Sequence, residues 1–494
     1  MSDVVIVGGG PTGLMLAGEL ALAGVDVLIL ERRTTAELTG TRARGFHART
    51  IEIFDQRGIA DRFLDRGQIV QLMSFAGTPL PISTLPSRHP YTLGLSQSHV
   101  EQILRGWVEE LGVPIRHGVD VTGFTQDDAG VTVHLSGGDE HRATFLVGAD
   151  GGRSVIRRAA GIDFVGAEAT RSYLIGEVEV SDDPPPGLRQ DAIGIHGVNL
   201  TGQGRTAGFI VTEVPSGPTT GATVIEPTPG EPTLVELSSA LTAVYGTDFG
   251  VHDPVWISRF TDAARQATAY RRGRVLIAGD AAHIHPPTGG QGIGLGVQDA
   301  VNLGWKLALV VRQTASEVLL DSYQAERHPV TARVIKNVMT QALLQRSDAR
   351  TDALRDTFGE LLTFDAPRTQ LAGLLTGLDV AYDLGGAHPL VGRRMPDLDL
   401  ITADGPQRAF ELLHAAKPVL LEFGEPGGRD ITGWADRIRR VEAKVSGPWE
   451  LPVIGTVSAP SAVLIRPDGH VAWVGDGPPT GLREALVTWF GAPS

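Results

Sequence analysis

The first 31 residues hold the pattern that most constrains the fold of this chain. The apolar, β-branched run Val4–Val7 is typical of a buried parallel strand, and it leads directly into the turn GGGPTG. In such a turn Gly8 permits the sharp bend, Gly10 lets a pyrophosphate approach the backbone, and Gly13 lets the following helix pack closely on the strand. A second apolar run ends in Glu31, an acid placed to bind a ribose diol. The sequence therefore predicts a βαβ unit of the dinucleotide-binding type.

Two later strand-and-turn motifs support this prediction. Phe145–Val147 leads into GADGGRS, which places Asp150 directly after a buried strand. Val275–Ala278 leads into Gly279 and Asp280 in the same way. Because open α/β sheets bind ligands at the carboxyl ends of their strands, both acids are candidates for ligand binding. The alternative for Asp280 is a carboxylate that only caps the next helix.

The segment that follows combines prolines and glycines in front of a helix predicted to start near Ile293. Gly290, Gly292 and Gly294 leave unhindered backbone amides at the N-terminus of that helix. Such amides favour a group that develops negative charge. The two histidines of the segment lie in a proline- and glycine-rich loop that does not match a ligand cage, so no metal site is predicted.

Two arginines, Arg42 and Arg44, precede a helix predicted to start near His47. Guanidinium groups in this position could neutralise a pyrophosphate or hold a mobile ring. The alternative is a solvated basic loop.

Composition excludes several classes of function. The 494 residues include no cysteine, which rules out disulfides, thiolate catalysis and cysteine-bound metal or iron–sulfur sites. The net charge of −14 argues against a nucleic-acid-binding protein, which would present a basic surface. No apolar stretch reaches the roughly 18 uninterrupted residues of a membrane helix, and the N-terminus lacks the basic region of a signal peptide. A cytoplasmic protein without a membrane or nucleic-acid partner is the simplest expectation.

Taken together, the motifs resemble those of a known family. The N-terminal turn with Glu31, the segment GADGGRS, and GDAAHIHPPTGGQG followed by QDAVNLGWKL are similar to the motifs of the FAD-dependent aromatic hydroxylases. These are the single-component monooxygenases of the para-hydroxybenzoate hydroxylase type. The likeness covers most of residues 1–395 and is most pronounced for the branch of actinomycete polyketide hydroxylases and rifampicin monooxygenases. In one departure, this chain has Gly294 where the family commonly has asparagine.

The resemblance implies bound FAD, with NAD(P)H as a transient co-substrate. No side chain is assigned a catalytic role; instead, a loop is expected to face the flavin, and it contains Pro286, Pro287, Gly290 and Gly292. The expected cofactor-binding residues are Gly8, Gly10, Thr12, Gly13, Glu31 and Arg32 for the adenosine and pyrophosphate, Arg42 and Arg44 near the flavin, Gln97 and Asp280 for the ribityl chain, Val121 for the adenine, Asp150 for FAD and the nicotinamide, and Gly292, Ile293 and Gly294 at the flavin edge.

The activity that the resemblance implies is hydroxylation of a large, hydrophobic aromatic molecule with O2. The oxygen would pass from a flavin C4a-hydroperoxide to a ring of a polycyclic polyketide or an ansamycin-type antibiotic. Because only one G-x-G-x-x-G opens a strand-to-helix unit, NAD(P)H has no second Rossmann domain of its own. A rifampicin-type, antibiotic-inactivating monooxygenase and a Baeyer–Villiger-type oxidation are alternatives on the same scaffold. A non-catalytic flavin-bound protein that binds a metabolite is the alternative of another class.

The expected fold is α/β with three domains. A Rossmann-like FAD-binding domain comprises residues 1–171 and 271–390, with long helices after 293. An α+β substrate-binding domain with a mixed or antiparallel sheet is inserted at 172–270, and residues 391–494 resemble a thioredoxin-like domain.

Strand patterns support the two smaller domains. YLIGEVEV and TAGFIVTEV alternate like strands of a half-covered antiparallel sheet, and His196, Phe209 and Phe260 are possible pocket residues. In the C-terminal part, KPVLLEFG and SAVLIRPDGHVAWVG predict strands and a hairpin around Pro467–Gly469. Without cysteine this part cannot exchange thiols. A structural or dimer-supporting role is therefore expected, and a homodimer stays open.

Overall fold

The structure of the protein is a computed structural model, and it describes residues 1–38, 40, 43–191, 194–200, 205–213, 231–346, 348–423, 429–476 and 480–494. Within these ranges no helix is long and apolar enough to cross a membrane. The first part of the chain contains β1 (Ser2–Val7), α1 (Pro11–Leu22), β2 (Val27–Glu31), α2 (Ala48–Asp55), α3 (Ala60–Leu64), β3 (Gln68–Val70), β4 (Leu72–Phe75), β5 (Thr78–Pro81), β6 (Thr92–Gly94), α4 (Gln97–Glu110), β7 (Ile115–His117), β8 (Val121–Asp127), β9 (Gly130–Leu135), β10 (Glu140–Gly148), α5 (Val155–Ala159) and β11 (Phe164–Ala167).

The remaining elements fall into three groups. The first contains β12 (Ser172–Glu179), β13 (Gly187–Gln190), β14 (Ile195–Leu200), β15 (Thr206–Thr212), α6 (Leu234–Tyr245) and β16 (His252–Thr261). The second contains β17 (Ala264–Ala267), β18 (Arg271–Arg272), β19 (Val275–Ile277), β20 (His283–Ile284), α7 (Gly292–Val311), α8 (Asp321–Leu344), α9 (Ala349–Leu361) and α10 (Asp365–Thr376). The third contains β21 (Asp399–Thr402), β22 (Gly405–Arg408), β23 (Val419–Phe423), β24 (Arg439–Ser446), β25 (Trp449–Leu451), β26 (Gly455–Val457), β27 (Ala462–Ile465), β28 (Val471–Gly475) and α11 (Leu482–Phe490).

The largest sheet has five parallel strands at its centre, in the order β19-β10-β1-β2-β7. Val4–Val7 of β1 is buried, as expected for a strand that is covered on both faces. Because parallel strands end at the same edge of a sheet, Gly8, Glu31, Asp150 and Asp280 lie along one edge, each just after its strand or at its last residue. The predicted α/β class is confirmed.

Helix α7 crosses α1 at close range because two of its residues are glycines. A Cβ at Gly296 would lie 2.1 Å from the Oγ1 of Thr12, and a Cβ at Gly304 would lie 2.5 Å from the Cβ of Glu19. Any side chain at either position would require Thr12 or Glu19 to move. This contact holds the N-terminal half of α7 beside the turn that follows β1.

The second sheet is antiparallel, in the order β13-β14-β15-β12-β16. One face packs against α6 and buries an apolar cluster that includes Leu174, Phe209 and Leu241. The predicted strands YLIGEVEV and TAGFIVTEV correspond to β12 and β15, which are neighbours. The opposite face of the sheet is turned toward the segment that carries Arg44.

The C-terminal sheet is mixed, in the order β22-β21-β24-β23-β27-β28. Strands β27 and β28 pair in antiparallel fashion around Pro467–Gly469, so the predicted hairpin is confirmed. The thioredoxin-like assignment of this part stays a prediction.

A buried charge cluster joins the C-terminal sheet to α7 and α8. Arg466, next to β27, donates two hydrogen bonds to Glu326 of α8, at 2.8 and 2.7 Å. Lys306 of α7 lies 3.0 Å from the same carboxylate. Burial raises the pKa of Glu326, but the charges of Arg466 and Lys306 outweigh burial and lower the pKa to about 2. Since buried charges are tolerated only when they are paired, the contact depends on the whole cluster.

We predict that Glu326→Gln destabilises the protein by about 3–5 kcal/mol, because the buried Lys306 then loses the carboxylate it pairs with and Arg466 keeps only Asp468. Urea-induced unfolding measures the change. The matched control is Arg62→Ala, which breaks an ion pair with Glu110 whose side chains are 40% and 58% exposed. It should cost far less, because solvent screens the exposed pair. Equal losses for the two variants would contradict the prediction.

The same carboxylate predicts a pH dependence of stability. The folded-state pKa of Glu326, about 2, lies below the ordinary value of 4.5, so the unfolded chain takes up this proton first as the pH falls. The contribution of Glu326 is therefore complete above about pH 4.5 and is lost as the pH falls toward 2. The free energy of unfolding should fall more steeply in the wild type than in Glu326→Gln across this window. Parallel curves would show that the pair does not carry this proton linkage.

Candidate cofactor and substrate site

Three glycines after β1 have different surroundings. Gly8 has a φ of +107°, and a Cβ there would lie 2.3 Å from the carbonyl oxygen of Ala149. A Cβ at Gly13 would lie 2.0 Å from the carbonyl oxygen of Gly8. At Gly10, in contrast, a Cβ would meet nothing within 4 Å. Gly8 and Gly13 are therefore required by the packing of the protein itself, whereas Gly10 keeps open the space in front of α1.

Glu31 ends β2 beside this turn. Its Oε2 accepts a hydrogen bond from the N–H of Gly9 at 2.6 Å, and its Oε1 accepts one from the N–H of Arg33 at 2.8 Å. Burial raises the pKa of Glu31, but hydrogen bonds from Arg33 and Gly9 lower it by more, so the carboxylate is ionised at neutral pH. Arg32, the arginine expected from the sequence, is exposed and makes no hydrogen bond to the part of the chain that the structure describes.

A chain of hydrogen bonds connects Glu31 with Gln97 at the start of α4. The guanidinium of Arg33 donates to Glu101 at 2.7 Å, and the amide of Gln97 donates to the same carboxylate at 2.9 Å. Arg33 and Glu101 were missed from the sequence. The available signal was the spacing of Gln97 and Glu101, since residues four apart share one face of a helix.

Three further predicted residues differ in their placement. Val121 starts β8 near Glu31, because the N–H of Val119 donates to the Glu31 carbonyl at 3.0 Å. Arg42 lies outside the described residues. Arg44 is exposed, but its guanidinium lies beside Gly208 of the second sheet. It therefore faces the sheet as well as solvent, unlike an arginine of a fully solvated loop.

The two carboxylate oxygens of Asp150 differ: one accepts hydrogen bonds from the first turn of a helix, and the other is unpaired. Its Oδ2 accepts hydrogen bonds from the N–H groups of Val155 and Ile156 in the first turn of α5, at 2.7 and 3.2 Å. Its Oδ1 is buried without a hydrogen-bond partner among the described residues. A buried, unpaired oxygen is costly, which favours a ligand that donates to it.

The turn after β19 places Asp280 at the same edge. Gly279 has a φ of +61°, and a Cβ there would lie 2.5 Å from the Oγ1 of Thr12. The N–H of Gly279 donates to Asp299 at 3.1 Å. Asp280 is exposed, and its carboxylate forms no hydrogen bond within the described ranges. The helix-cap alternative for Asp280 is therefore not what the structure shows.

His47 fixes the loop between this turn and α7. Its Nε2 donates to the carbonyl of Gly289 at 2.6 Å, across 242 residues of sequence. Burial lowers the pKa of His47 more than the carbonyl raises it, so the ring is neutral and its Nδ1 accepts from the Thr92 hydroxyl at 3.1 Å. No sequence pattern marked this contact. It holds the segment that contains the predicted residues Pro286, Pro287, Gly290, Gly292, Ile293 and Gly294.

Gly294 faces helix α2. A Cβ at this position would lie 2.8 Å from the Oγ1 of Thr50. Beside it is a cavity of about 20 Å³, whose lining includes His47, Thr50, Gly294 and Gln298. That volume holds about one water molecule. A larger residue at this position, such as the asparagine that the resemblance leads one to expect, would require Thr50 to move.

The second sheet turns the face opposite α6 toward the loop that carries Arg44. We call it the cleft face; it contains Tyr173, Ile175, Glu177, Ile210, Trp256, Ser258 and Phe260. A Cβ at Gly208, the cross-strand partner of Glu177, would lie 3.1 Å from a guanidinium nitrogen of Arg44. A Cβ at Gly40 would lie 2.5 Å from the indole of Trp256. The loop that carries Gly40 and Arg44, which we call the cofactor-side loop, is thus in direct contact with the cleft face.

The cleft face combines aromatic surface with one acid. The rings of Tyr173 and Phe260 stack with centroids 4.9 Å apart, and the indole N–H of Trp256 donates to Glu177 at 3.2 Å. Of the three pocket residues considered from the sequence, Phe260 lies on this face. Phe209 packs against α6 on the opposite face, and His196 is buried with hydrogen bonds to Asp191 and the backbone.

Comparison with known proteins identifies the family. Residues 1–338 match the family described as "FAD binding domain", and residues 388–493 match "Aromatic-ring hydroxylase, C-terminal". The chain belongs to the FAD-dependent aromatic-ring hydroxylases. It is an FAD-dependent monooxygenase, as the sequence motifs predicted.

Several known proteins are similar to this chain over its full length. It is 42% identical to the 12-dehydrotetracycline 5-monooxygenase/anhydrotetracycline 6-monooxygenase of Streptomyces rimosus, over 100% of this chain and 99% of that protein. It is 43% identical to a rifampicin monooxygenase of Streptomyces venezuelae, with the same coverage. Among solved structures, the anhydrotetracycline hydroxylase OxyS from Streptomyces rimosus has a TM-score of 0.91 and 41% identity over 100% of both chains. The Diels–Alderase PyrE3 of pyrroindomycin biosynthesis has a TM-score of 0.84 and 36% identity over 100% of both chains.

The residues at the sheet edge fit FAD. The open space at Gly10, the ionised Glu31, the unpaired oxygen of Asp150 and the free carboxylate of Asp280 lie along one edge. When bound there, FAD supplies the exchange of electrons with a reductant and with O2. The N-terminus of α7 offers partial positive charge, worth at most about 2 kcal/mol for a nearby anionic group.

Two glycine variants should separate cofactor binding from folding. Gly10→Ala is expected to leave the unfolding temperature of the apoprotein unchanged, because Gly10 has an extended backbone with a φ of −80° and open space around it. Its methyl group should still weaken FAD binding at least tenfold, or about 1.4 kcal/mol, by occupying space where the pyrophosphate is expected. Gly13→Ala should instead destabilise the apoprotein. FAD titration and thermal unfolding measure both, and unchanged FAD affinity in Gly10→Ala would count against this site.

Proposed function

We propose that this monooxygenase hydroxylates an aromatic ring of a polycyclic polyketide or of a related antibiotic, with O2 and NAD(P)H as co-substrates. The observation that carries the proposal is the similarity, over the full length, to monooxygenases named for anhydrotetracycline and rifampicin. The names of both relatives give a large molecule as the substrate. The proposal includes synthesis and inactivation of an antibiotic, because the chemistry is the same in both.

The geometry of the cleft face supports a large, flat substrate. Tyr173 and Phe260 offer a stacked aromatic surface, and Ile175 and Ile210 continue it with apolar side chains across β12 and β15. Glu177 adds a carboxylate that can accept a hydrogen bond from a hydroxyl group of the substrate. This surface lies against the loop that carries Arg44, a residue proposed to lie near the flavin, and this contact supports binding of the substrate beside the cofactor.

The role of the protein in the reaction is to position and shield. The neutral His47 keeps the loop before α7 in place through the Gly289 carbonyl. The amides at the start of α7 stabilise negative charge on the bound cofactor. NAD(P)H is proposed to bind transiently, because the sequence has one dinucleotide-binding turn and that turn is assigned to FAD.

The test is consumption of NADPH and NADH by the purified holoenzyme, with and without anhydrotetracycline, anthracyclines, angucyclines and rifamycins. Substrate should stimulate oxidation of the nucleotide and uptake of O2, and mass spectrometry should show a product heavier by one oxygen atom. A product that retains its aromatic ring supports hydroxylation, and one with an inserted ester oxygen supports the Baeyer–Villiger alternative. Binding of FAD and ligand without any conversion would support the metabolite-binding alternative.

The similarity to a Diels–Alderase supports a second candidate, cyclisation of a polyene on the same scaffold. In that case the cleft face would fold a flexible chain into a reactive shape rather than present a ring for oxygenation. The same assay separates the two functions. Cyclisation gives a product of unchanged mass without consumption of NAD(P)H or O2.

The cleft face makes a prediction about specificity. Phe260→Ala should raise the dissociation constant of the polycyclic substrate about tenfold, because the variant loses the stacked surface with Tyr173. The matched control is Phe209→Leu, which alters the α6 side of the same sheet and should lower the unfolding temperature without a change in substrate affinity. Titration of the holoenzyme monitored by flavin absorbance measures binding. If only Phe209→Leu affected the affinity, the substrate would have to bind elsewhere.

A further inference from the structure

The hairpin between β27 and β28 is buried inside the protein, although its Pro-Asp-Gly sequence is typical of an exposed turn. Arg466, Asp468 and His470 are 0%, 2% and 3% exposed. The carbonyl of Asp468 accepts a hydrogen bond from Arg49 of α2 at 3.0 Å, and its side chain accepts one from Asn302 of α7 at 3.3 Å. The C-terminal part thus contacts α2 and α7. Helix α7 packs against the turn at Gly279, on the sheet edge where Glu31, Asp150 and Asp280 lie, which we call the cofactor edge.

Asp299 of α7 is buried and forms hydrogen bonds that hold the turn carrying Asp280. One of its oxygens accepts from the N–H of Gly279 at 3.1 Å and lies 2.6 Å from the Nε2 of His283; the other accepts from Arg327 at 2.8 Å. Burial raises the pKa of Asp299, but the charges of His283 and Arg327 lower it by more. Asp299 therefore stays ionised and holds both sides of the turn.

Tyr382 connects Asp299, through Arg327, with the buried hairpin. Its hydroxyl accepts a hydrogen bond from Arg327 at 3.2 Å, and its ring lies 4.3 Å from the ring of His470. The guanidinium of Arg466 lies 5.4 Å from the centre of the same ring. A continuous set of contacts therefore runs from the C-terminal hairpin through Tyr382, Arg327 and Asp299 to the turn at Gly279.

We propose that the C-terminal part belongs to the cofactor site, and that Tyr382 is the positioning residue through which its hairpin sets the place of Asp280. The proposal rests on the role assigned to Asp280 in FAD binding. Asp280 makes no hydrogen bond of its own to the described residues, so its position depends on the backbone of the turn. That backbone is held by Asp299, whose other oxygen is oriented by Arg327.

A double-mutant cycle on the holoenzyme tests the proposal. Tyr382→Phe removes only the hydroxyl that contacts Arg327 and keeps the ring on His470. It should raise the FAD dissociation constant about fivefold and shift the flavin midpoint potential. Asp280→Ala should weaken FAD by itself, and in that background Tyr382→Phe should have no further effect. Tyr91→Phe, which removes a hydroxyl bonded to His89 at 2.7 Å, is the matched control and should change neither quantity.

Each outcome has a defined meaning. An unchanged FAD affinity and potential in Tyr382→Phe would overturn the proposal. An equal loss of affinity in the wild-type and Asp280→Ala backgrounds would also overturn it, since Tyr382 would then act on stability or on another part of the site. Wild-type affinity in Asp280→Ala would overturn the assignment of Asp280 to FAD, which is a separate failure.

Discussion

The contact between the backbones of β1, β10 and α1 is the constraint on which the rest of the structure depends. Side chains are absent at Gly8 and Gly13 because carbonyl oxygens occupy the space where a Cβ would lie. This close approach sets β1 beside β10 and directs the N-terminus of α1 toward the strand ends. Acids that are far apart in sequence, Glu31, Asp150 and Asp280, meet at one edge as a consequence. The cofactor edge is thus a product of backbone packing before any side chain contributes.

Behind this edge the protein buries charge, which is costly unless each group is paired. Arg327 with Asp299, and Arg466 with Glu326, form ion pairs whose side chains are at most 4% exposed. Arg466 also ranks among the largest fully buried side chains of the described residues. Apolar residues of similar volume can give equal stability, but they form no hydrogen bonds that orient a neighbouring polar group. The paired charges instead fix the direction of neighbouring groups, as a cofactor turn requires.

Local patterns in the sequence predicted the elements that depend on neighbouring residues. The glycine turn after β1, the strands before Asp150 and Asp280, and the hairpin at Pro467–Gly469 each follow from a few adjacent residues, and the structure contains them. Contacts across long distances were missed, such as His47 with Gly289. Two arginines in a row also gave no means of telling that Arg33, and not Arg32, forms hydrogen bonds with Glu31 and Glu101. That difference depends on which side of the strand end faces the helix α4, which is a tertiary property.

The cofactor edge and the cleft face place different demands on the sequence. The edge needs glycines and ionised carboxylates at fixed positions. The fold that supplies them is similar both to that of a hydroxylase and to that of a Diels–Alderase. The cleft face needs only a twisted sheet, so its side chains are free to differ between proteins of one fold. Because Gly208 lies beside Arg44 and Gly40 lies beside Trp256, a substrate bound on this face, as proposed, would lie next to the cofactor-side loop, which carries Gly40 and Arg44. Under the proposed function, oxygenation and cyclisation would therefore be distinguished by the groups that a substrate presents to that loop, and not by the residues of the edge.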